Sequence, residues 1–237
     1  MMQKLIIQPL EQEHMVIELR TTSLEKMLQC PYNMQFAKYV ESDKQKFGKI
    51  VHKWLQTYRS NKEKNYEYAY TTFSQWLEWE ELRLFKEYMQ ISHDIPDIVC
   101  SELELKMEVE YGTVLYVIKW TADCVHYDGS ISDIKTSKAE WKMEDLFDKL
   151  QPYFYTYMAN ADKFTYYIFT KHKKVRLQVL EIPIDRATSE EKIIDTIKEY
   201  HSYLTSLDRA KKTNKYCRFC QFASTCFITN QKNNGIT

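Results

Sequence analysis

Glycine and proline are scarce in this chain of 237 residues, with four and five copies respectively. So few turn-forming residues favour long regular helices and strands over a loop-rich fold, and they disfavour a glycine-rich loop that cradles a phosphate. Nothing in a composition of 44% hydrophobic and 28% charged residues is typical of collagen, a coiled coil or a wholly disordered chain. We therefore expect one compact domain with a sizeable core.

A long apolar run and a net charge are also missing. No stretch approaches the ~20 apolar residues that a membrane-spanning helix needs, and residues 1–10 lack the basic and apolar regions of a signal peptide. We expect a cytoplasmic protein with no membrane association. The 33 basic and 33 acidic residues cancel, which counts against a nucleic-acid role unless local basic patches and bound cations provide the contacts.

The first part of the chain follows the period of a helix. Thr22-Ser23-Leu24-Glu25 has the form of a capping box and predicts a short helix that Pro31 ends or kinks. An apolar stripe with the spacing of one buried helix face follows, and the aromatic stretch 62–90 is also predicted to be helical. The stripe consists of Phe47, Ile50, Val51, Trp54, Leu55 and Tyr58.

The hydrophobic period then changes to two. Charged and apolar residues alternate over 102–110, which predicts a half-buried strand, and further strands are predicted at 114–125, 130–135, 164–169 and 175–182. Helices are predicted at 146–158 and 189–207. This order predicts a single α/β domain over residues 1–228: 21–95 mainly helical, 97–183 a sheet core, 187–228 a helix and a cysteine segment. Residues 229–237 are expected to form a disordered tail.

Two acidic residues and a lysine form the first candidate site. Asp133-Ile134-Lys135 lies on a predicted strand, so Asp133 and Lys135 project from the same face, and Asp123 lies on the preceding strand. Converging carboxylates suit a hard cation such as Mg²⁺, and a neighbouring lysine could orient a hydroxide or stabilise charge on a phosphate. Because the tripeptide is common, these residues taken alone are better explained as surface residues at a strand end.

The turn between these two strands sets a geometric condition on that site. A two-residue turn at 128–129 would make Asp123 point away from Asp133. A three-residue loop at 128–130, with its glycine in a left-handed conformation, would instead place Asp123 opposite Lys135 and on the face of Asp133. The candidate site therefore requires the longer turn or a bulge.

Three further polar residues accompany the acidic pair. His52 lies on the flank of the predicted helix with Gly48 one turn earlier, and imidazole is an acceptable ligand for Mg²⁺ or Mn²⁺. Gln151 and Tyr155 are four residues apart and share a helix face. Each also has an ordinary reading: His52 as a half-buried helix residue, and the other two as a boundary between core and solvent.

Cysteines suggest a second metal centre. Cys217, Cys220 and Cys226 lie within ten residues of one another, but three thiolates do not complete a four-coordinate site. Cys30, followed by Pro31 and Tyr32, is the favoured fourth ligand. Since cytoplasmic thiols stay reduced, metal ligation is favoured over disulfides. Spacing alone leaves zinc and a 4Fe–4S cluster open.

The order of these motifs, from about residue 23 to residue 226, resembles the RecB-type branch of the PD-(D/E)XK nucleases. In particular it resembles the iron–sulfur members, such as the nuclease domain of AddB and the CRISPR-associated exonuclease Cas-four. The resemblance implies a restriction-endonuclease-like fold, in which helices flank a mixed central sheet. It also implies a DNA nuclease, with Mg²⁺ or Mn²⁺ as catalytic metal and a 4Fe–4S cluster as second cofactor.

Carried over position by position, the resemblance implies that His52, Asp123 and Asp133 bind the catalytic metal, aided by the carbonyl of Ile134. Lys135 would assist the attacking water. Two departures are chemically mild: Asp133 replaces the Glu of many relatives, and Ile134 stands where Val or Leu is frequent.

The same resemblance implies that Gln151 and Tyr155 position the scissile strand. It also favours iron over zinc at the cysteines, as a cluster that joins the two ends of the chain. The cluster ligands would be Cys30, Cys217, Cys220 and Cys226.

We therefore expect a metal-dependent exonuclease that acts on single-stranded DNA or DNA ends, in repair, recombination or CRISPR adaptation, with possible protein partners in such a complex. A basic run from Lys171 to Arg176 could contact phosphates. Two alternatives stay open: a catalytically silent, nuclease-like DNA-binding or docking subunit, and a zinc-stabilised interaction protein.

Overall fold

A computed structural model describes residues 2–11, 13–30, 43–60, 66–171, 174–205 and 217. In these residues the chain forms seven strands, six α-helices and two short 3₁₀ turns. The strands are β1 (Met2–Gln8), β2 (Met15–Arg20), β3 (Ile98–Tyr111), β4 (Val114–His126), β5 (Ile131–Ser137), β6 (Lys163–Thr170) and β7 (Arg176–Pro183). The helices are α1 (Thr21–Gln29), α2 (Asp43–Ser60), α3 (Tyr66–Ser74), α4 (Trp79–Ile91), α5 (Gln151–Ala159) and α6 (Arg186–Thr205), with 3₁₀ turns at Ser92–Asp94 and Met143–Leu146.

The strands form one mixed sheet in the order β1-β3-β4-β5-β6-β7, and β2 pairs with β4 outside this path. Strands β3 and β4 form a long antiparallel hairpin, and β4 continues antiparallel into β5. Strands β5 and β6 are parallel, which requires the crossover that α5 provides. The predicted α/β architecture, a mixed sheet flanked by helices, is confirmed.

Each face of the sheet buries its own hydrophobic cluster. Helices α1, α5 and α6 cover one face, where Leu24, Phe154 and Ile197 are fully buried. Helices α2, α3 and α4 cover the other face, where Trp54 and Phe85 are fully buried. Strand β5 is buried from both sides, because Ile131 belongs to the first cluster and Ile134 to the second. The strand that carries the candidate site is thus clamped between two cores.

The sequence analysis missed β1 and β2. Neither segment alternates cleanly: Leu5, Ile6 and Ile7 are consecutive apolar residues, yet Ile6 is exposed. Both strands form by parallel pairing with distant partners, β1 with β3 and β2 with β4, which no local pattern reports. The tail 229–237 lies outside the described residues. None of the described helices is long and apolar enough to cross a membrane.

Replacing Trp54 by alanine tests the core under α2. Trp54 is fully buried and packs edge-on against Phe85, with 5.2 Å between ring centroids. We expect Trp54→Ala to lower the free energy of unfolding by about 3–5 kcal/mol, measured by urea denaturation. The matched control is Trp79→Ala, because Trp79 is 81% exposed and its removal should change stability by no more than about 0.5 kcal/mol. Equal losses in the two variants would contradict this packing.

Candidate active site

Asp123 lies on β4 in a short stretch that pairs with neither β2 nor β5. On the same edge, β4 pairs with β2 up to Lys119 and with β5 from Cys124 onwards. Residues 120–123 therefore lie where the sheet opens. This splaying of strands places a polar residue inside an otherwise apolar sheet.

Side chains from the flanking helices hold β4 across this gap. The carbonyl of Thr121 accepts a hydrogen bond from the Tyr155 hydroxyl at 2.5 Å. The carbonyl of Asp123 accepts one from the side-chain amide of Gln56 at 3.0 Å. Helices on opposite faces thus supply the two donors, and the backbone around the candidate acid is fixed before any ligand binds.

The β4–β5 turn has the predicted length but begins one residue earlier. Cys124 pairs with Ser132, and the backbone N–H of residue 126 donates to the carbonyl of residue 130 at 3.0 Å, so the loop is residues 127–129. Gly129 has the expected left-handed conformation, with φ of 80°. Continuing this register places Asp123 opposite Asp133, and the predicted position opposite Lys135 is wrong.

An Asx turn explains the difference in register. The Asp128 carboxylate accepts hydrogen bonds from both the backbone N–H of Ser130, at 2.9 Å, and its hydroxyl, at 2.6 Å. This contact makes Asp128 the centre of the loop rather than its first residue. The consequence favours the site, since directly opposed residues share a face of an antiparallel pair.

The Asp123 carboxylate is oriented by a helix and by the facing strand. His52 on α2 places Nδ1 3.2 Å from Asp123 Oδ2. The backbone N–H of Ile134 donates to the same oxygen at 3.4 Å. Ile134 thus contacts Asp123 through its backbone N–H. The predicted contact of the Ile134 carbonyl with a metal stays a prediction.

Asp133 is almost completely buried, with 1% of its surface exposed. Its Oδ1 accepts a hydrogen bond from the Gln151 amide at 2.7 Å, and the Gln151 carbonyl oxygen accepts one from the Tyr166 hydroxyl at 3.2 Å. Its Oδ2 forms an ion pair with the Lys135 ammonium group. Within the described residues no hydrogen bond of ordinary geometry reaches Oδ2, so Lys135 is the group that balances its charge.

Burial and charge act differently on the two acids. Burial has the largest effect on Asp133 and raises its pKa; the charge of Lys135 opposes this rise, and the charge of Asp123 adds to it. Burial also opposes ionisation of Asp123, but its hydrogen bond to His52 and the charges of His52 and Lys135 lower its pKa overall. Two facing carboxylates at a buried site favour binding of an additional cation.

Tyr155 is almost completely buried, with 1% of its surface exposed. Its ring lies against Trp120, with centroids 3.9 Å apart, and is stacked on Phe164 at 5.4 Å. Burial also raises the pKa of its hydroxyl. The structure therefore places Tyr155 in the core beside the site, and its predicted contact with the scissile strand stays a prediction.

The donor atoms suit a magnesium or manganese ion in their chemistry. In the described part of the chain, no three His, Cys, Asp or Glu side chains are arranged as a finished ligand set. Instead, His52 is paired with Asp123, and Lys135 with Asp133. Two facing carboxylates and an imidazole nevertheless match the ligands that Mg²⁺ and Mn²⁺ accept.

The cysteine centre is only partly described. Cys30 directly follows α1, and both Cys30 and Cys217 are half-buried thiols outside any disulfide. Cys220 and Cys226 lie outside the described residues. The cluster therefore stays a prediction.

Sequence reasoning missed a backbone irregularity beside the site. The β3–β4 ladder pairs Ser101 with Cys124 and Leu103 with Ala122, so Glu102 lies across from Asp123. Glu102 has a left-handed backbone, with φ of 55°, which is unfavourable for a residue with a side chain. Nothing in its alternating sequence signals this. Gln56 and Tyr166 were missed for a related reason, because their contacts join elements far apart in the chain.

Comparison with known proteins identifies the family of this fold. A sequence model described as the PD-(D/E)XK nuclease superfamily matches residues 19–227. No curated protein matches the chain. The crystal structure of SSO0001 has 20% identity and a TM-score of 0.46, covering 88% of this chain and 85% of the other. A candidate exonuclease from Eubacterium rectale has 11% identity and a TM-score of 0.45, covering 79% and 80%. Candida albicans Rai1 bound to pU5 and Mn²⁺ has 11% identity and a TM-score of 0.31, covering 83% and 64%.

A double-mutant cycle tests the hydrogen-bonded chain that holds Asp133. Gln151→Leu should lower the free energy of unfolding by about 1–3 kcal/mol, because it leaves Asp133 Oδ1 and the Tyr166 hydroxyl without partners. Tyr166→Phe should lower it by about 1 kcal/mol, since it removes one donor only. In the double variant the losses should fall short of additivity by at least about 0.5 kcal/mol. Additive losses in urea denaturation would show that the three groups do not form one chain.

Proposed function

Because the chain belongs to the PD-(D/E)XK nuclease superfamily, we propose that it is a metal-dependent deoxyribonuclease. One observation carries the proposal: the Asp133 carboxylate is buried, faces Asp123 across the strand pair and is paired with Lys135. A buried acid held this way is expensive to retain for stability alone, since burying a charge is costly even when it is paired. A hydrolytic site explains why Asp123, Asp133 and Lys135 lie together.

Each residue has a defined role in the proposed reaction. Asp123, Asp133 and His52 hold a divalent ion, aided by the Ile134 carbonyl. Bound Mg²⁺ or Mn²⁺ supplies Lewis-acid chemistry and makes water a stronger nucleophile near neutral pH. Lys135 orients the attacking water and stabilises negative charge on the phosphoryl oxygens.

The hydrolysis is an in-line displacement at phosphorus. An oxygen–phosphorus bond forms from the attacking water, and the bond from phosphorus to the leaving nucleotide oxygen breaks. The water loses one proton, and the leaving oxygen gains one. Gln151 keeps Asp133 in place through its hydrogen bond to Oδ1, so that the acid presents Oδ2 to the reaction.

We further propose single-stranded DNA or DNA ends as substrates, degraded by exonuclease action. The resemblance to RecB-type nucleases supports the exonuclease activity. Two largely exposed aromatic side chains support the choice of single strands, since Trp76 and Trp79 are 71% and 81% exposed. Exposed aromatic rings stack on unpaired bases of any sequence. Repair, recombination and CRISPR adaptation are the pathways that fit this activity, with protein partners in the corresponding complex.

The cysteines are proposed to hold a 4Fe–4S cluster that joins the two ends of the domain. Cys30 and Cys217 fit this role as half-buried thiols outside any disulfide. Ligation of Cys30 together with the C-terminal cysteines would close a loop of most of the chain and restrict the unfolded state. Its ligands would be Cys30, Cys217, Cys220 and Cys226.

Substitution of the buried acid tests the nuclease directly. We expect Asp133→Asn to reduce Mn²⁺-dependent cleavage of end-labelled single-stranded DNA by at least about 10²-fold, because it removes a charged metal ligand while keeping the shape of the side chain. Lys135→Ala should reduce cleavage similarly. The matched control is Asp195→Asn, which changes an exposed acid on α6 and should leave the rate unchanged. Full activity in a folded Asp133→Asn protein would refute the assigned site, and no cleavage by the wild-type protein would favour the silent DNA-binding subunit.

Replacing Cys220 tests the cluster separately. Anaerobically purified protein should be brown, with broad absorption near ~400 nm from thiolate-bound iron. Cys220→Ala should lose this colour and unfold at a lower temperature, because the cluster no longer joins the two ends. Cys100→Ala is the control, since Cys100 lies on β3 outside the proposed ligand set. A colourless wild-type protein that contains zinc would favour the alternative metal, and an unchanged melting temperature would exclude a structural metal at Cys220.

A further inference from the structure

A basic cavity of about 390 Å³ adjoins the candidate active site. It lies between the first turns of α2 and the end of β5. His52 and Lys135 line it, so it opens directly onto the proposed catalytic groups. Its other lining residues are Gln45, Gly48, Lys49, Thr136, Lys138 and Lys171.

The floor of this cavity depends on a close approach of α2 to β5. A Cβ atom at Gly48 would lie 3.3 Å from the Thr136 hydroxyl oxygen, which is tighter than ordinary van der Waals contact. Glycine therefore lets the helix come near the strand one residue beyond Lys135. The residue beside Gly48, Phe47, is fully buried in the hydrophobic cluster under α2.

Lysine side chains dominate the lining of the cavity. Four lysines line it, and no aspartate or glutamate does so among the residues that the structure describes. One of them, Lys135, is already paired with Asp133, so the other three supply the rest of the positive charge. Among its lining residues, Lys49 and Lys138 are exposed to solvent. The Lys171 ammonium group lies 5.0 Å from the centre of the Phe47 ring, at the distance of a cation–π contact. The chain as a whole has no net charge, so its lysines are concentrated locally at this cavity.

We propose that this cavity is a phosphate-binding subsite, in which Lys49, Lys138 and Lys171 hold the DNA phosphate next to the one that is cleaved. This inference rests on the proposed nuclease function. Lysine ammonium groups bind phosphate as point charges, and no aromatic side chain lines the cavity in the described part of the chain. The subsite therefore reads the backbone and not the bases, and it gives the substrate its register relative to Lys135.

Salt dependence measures the contact without relying on turnover. Binding of a fluorescent single-stranded oligonucleotide is measured by anisotropy in EDTA over a range of salt concentrations. Each phosphate contact adds about 0.7 to the slope of log affinity against log salt for single strands. We expect Lys138→Gln/Lys171→Gln to lower this slope by about 0.7 or more and to raise KM for cleavage, while the charge-preserving Lys138→Arg/Lys171→Arg retains the slope.

A second double variant provides a matched control. Lys86 and Lys192 also lie over aromatic rings, Tyr70 and Tyr153, at 5.2 and 5.7 Å, but do not line the cavity. Lys86→Gln/Lys192→Gln removes the same charge and should leave the slope unchanged. Circular dichroism and urea denaturation confirm that each variant is folded before its slope is compared.

The outcomes separate this inference from the nuclease itself. Loss of slope in the cavity variant alone supports the subsite. Equal slopes in both glutamine variants, with wild-type cleavage intact, overturn the subsite and leave the nuclease standing. Absence of cleavage by the wild-type protein with Mn²⁺ overturns the proposed function, and the subsite with it. Oligonucleotides with and without a terminal phosphate show which phosphate the subsite holds. If the change in salt slope disappears when the terminal phosphate is removed, the subsite holds the end of the strand and not an internal phosphate.

Discussion

The pairing of a buried carboxylate with a lysine organises the centre of this protein. Asp133 lies in a strand covered on both faces, and Lys135 supplies the opposing charge two residues away. Apolar residues in their place would be as stable or more so, because desolvating two ions offsets much of their attraction. Their presence in the core therefore points to chemistry, and the surrounding elements can be understood as the support that this pair requires.

That support comes from both sides of the sheet. Helix α5 provides Gln151, which binds the Asp133 carboxylate, and helix α2 provides His52 and Gln56, which bind the side chain and the backbone of Asp123. The opening between the β2 and β5 ladders leaves the Asp123 side chain partly exposed, while Asp133 stays buried. A rigid sheet with a local opening can hold charged groups in a fixed geometry and still admit a substrate.

Much of this arrangement could be predicted from local patterns. The two-residue period placed Asp133 and Lys135 on one face, and the apolar stripe of α2 placed His52 at its edge. The register of Asp123 could not be predicted, because the Asp128 side chain, rather than loop length alone, decides where the turn begins. Strands β1 and β2 could not be predicted for a different reason, because each forms by parallel pairing with a strand that is distant in the sequence.

The central claim is that Asp123 and Asp133 together hold the catalytic metal. Diffraction from crystals soaked in Mn²⁺ tests it most directly, through the anomalous signal of the ion. We predict one peak between the two carboxylates, within reach of the His52 imidazole, with the Lys135 ammonium group displaced from Asp133. A fully soaked crystal with no peak there, or with peaks only at other sites, would contradict it.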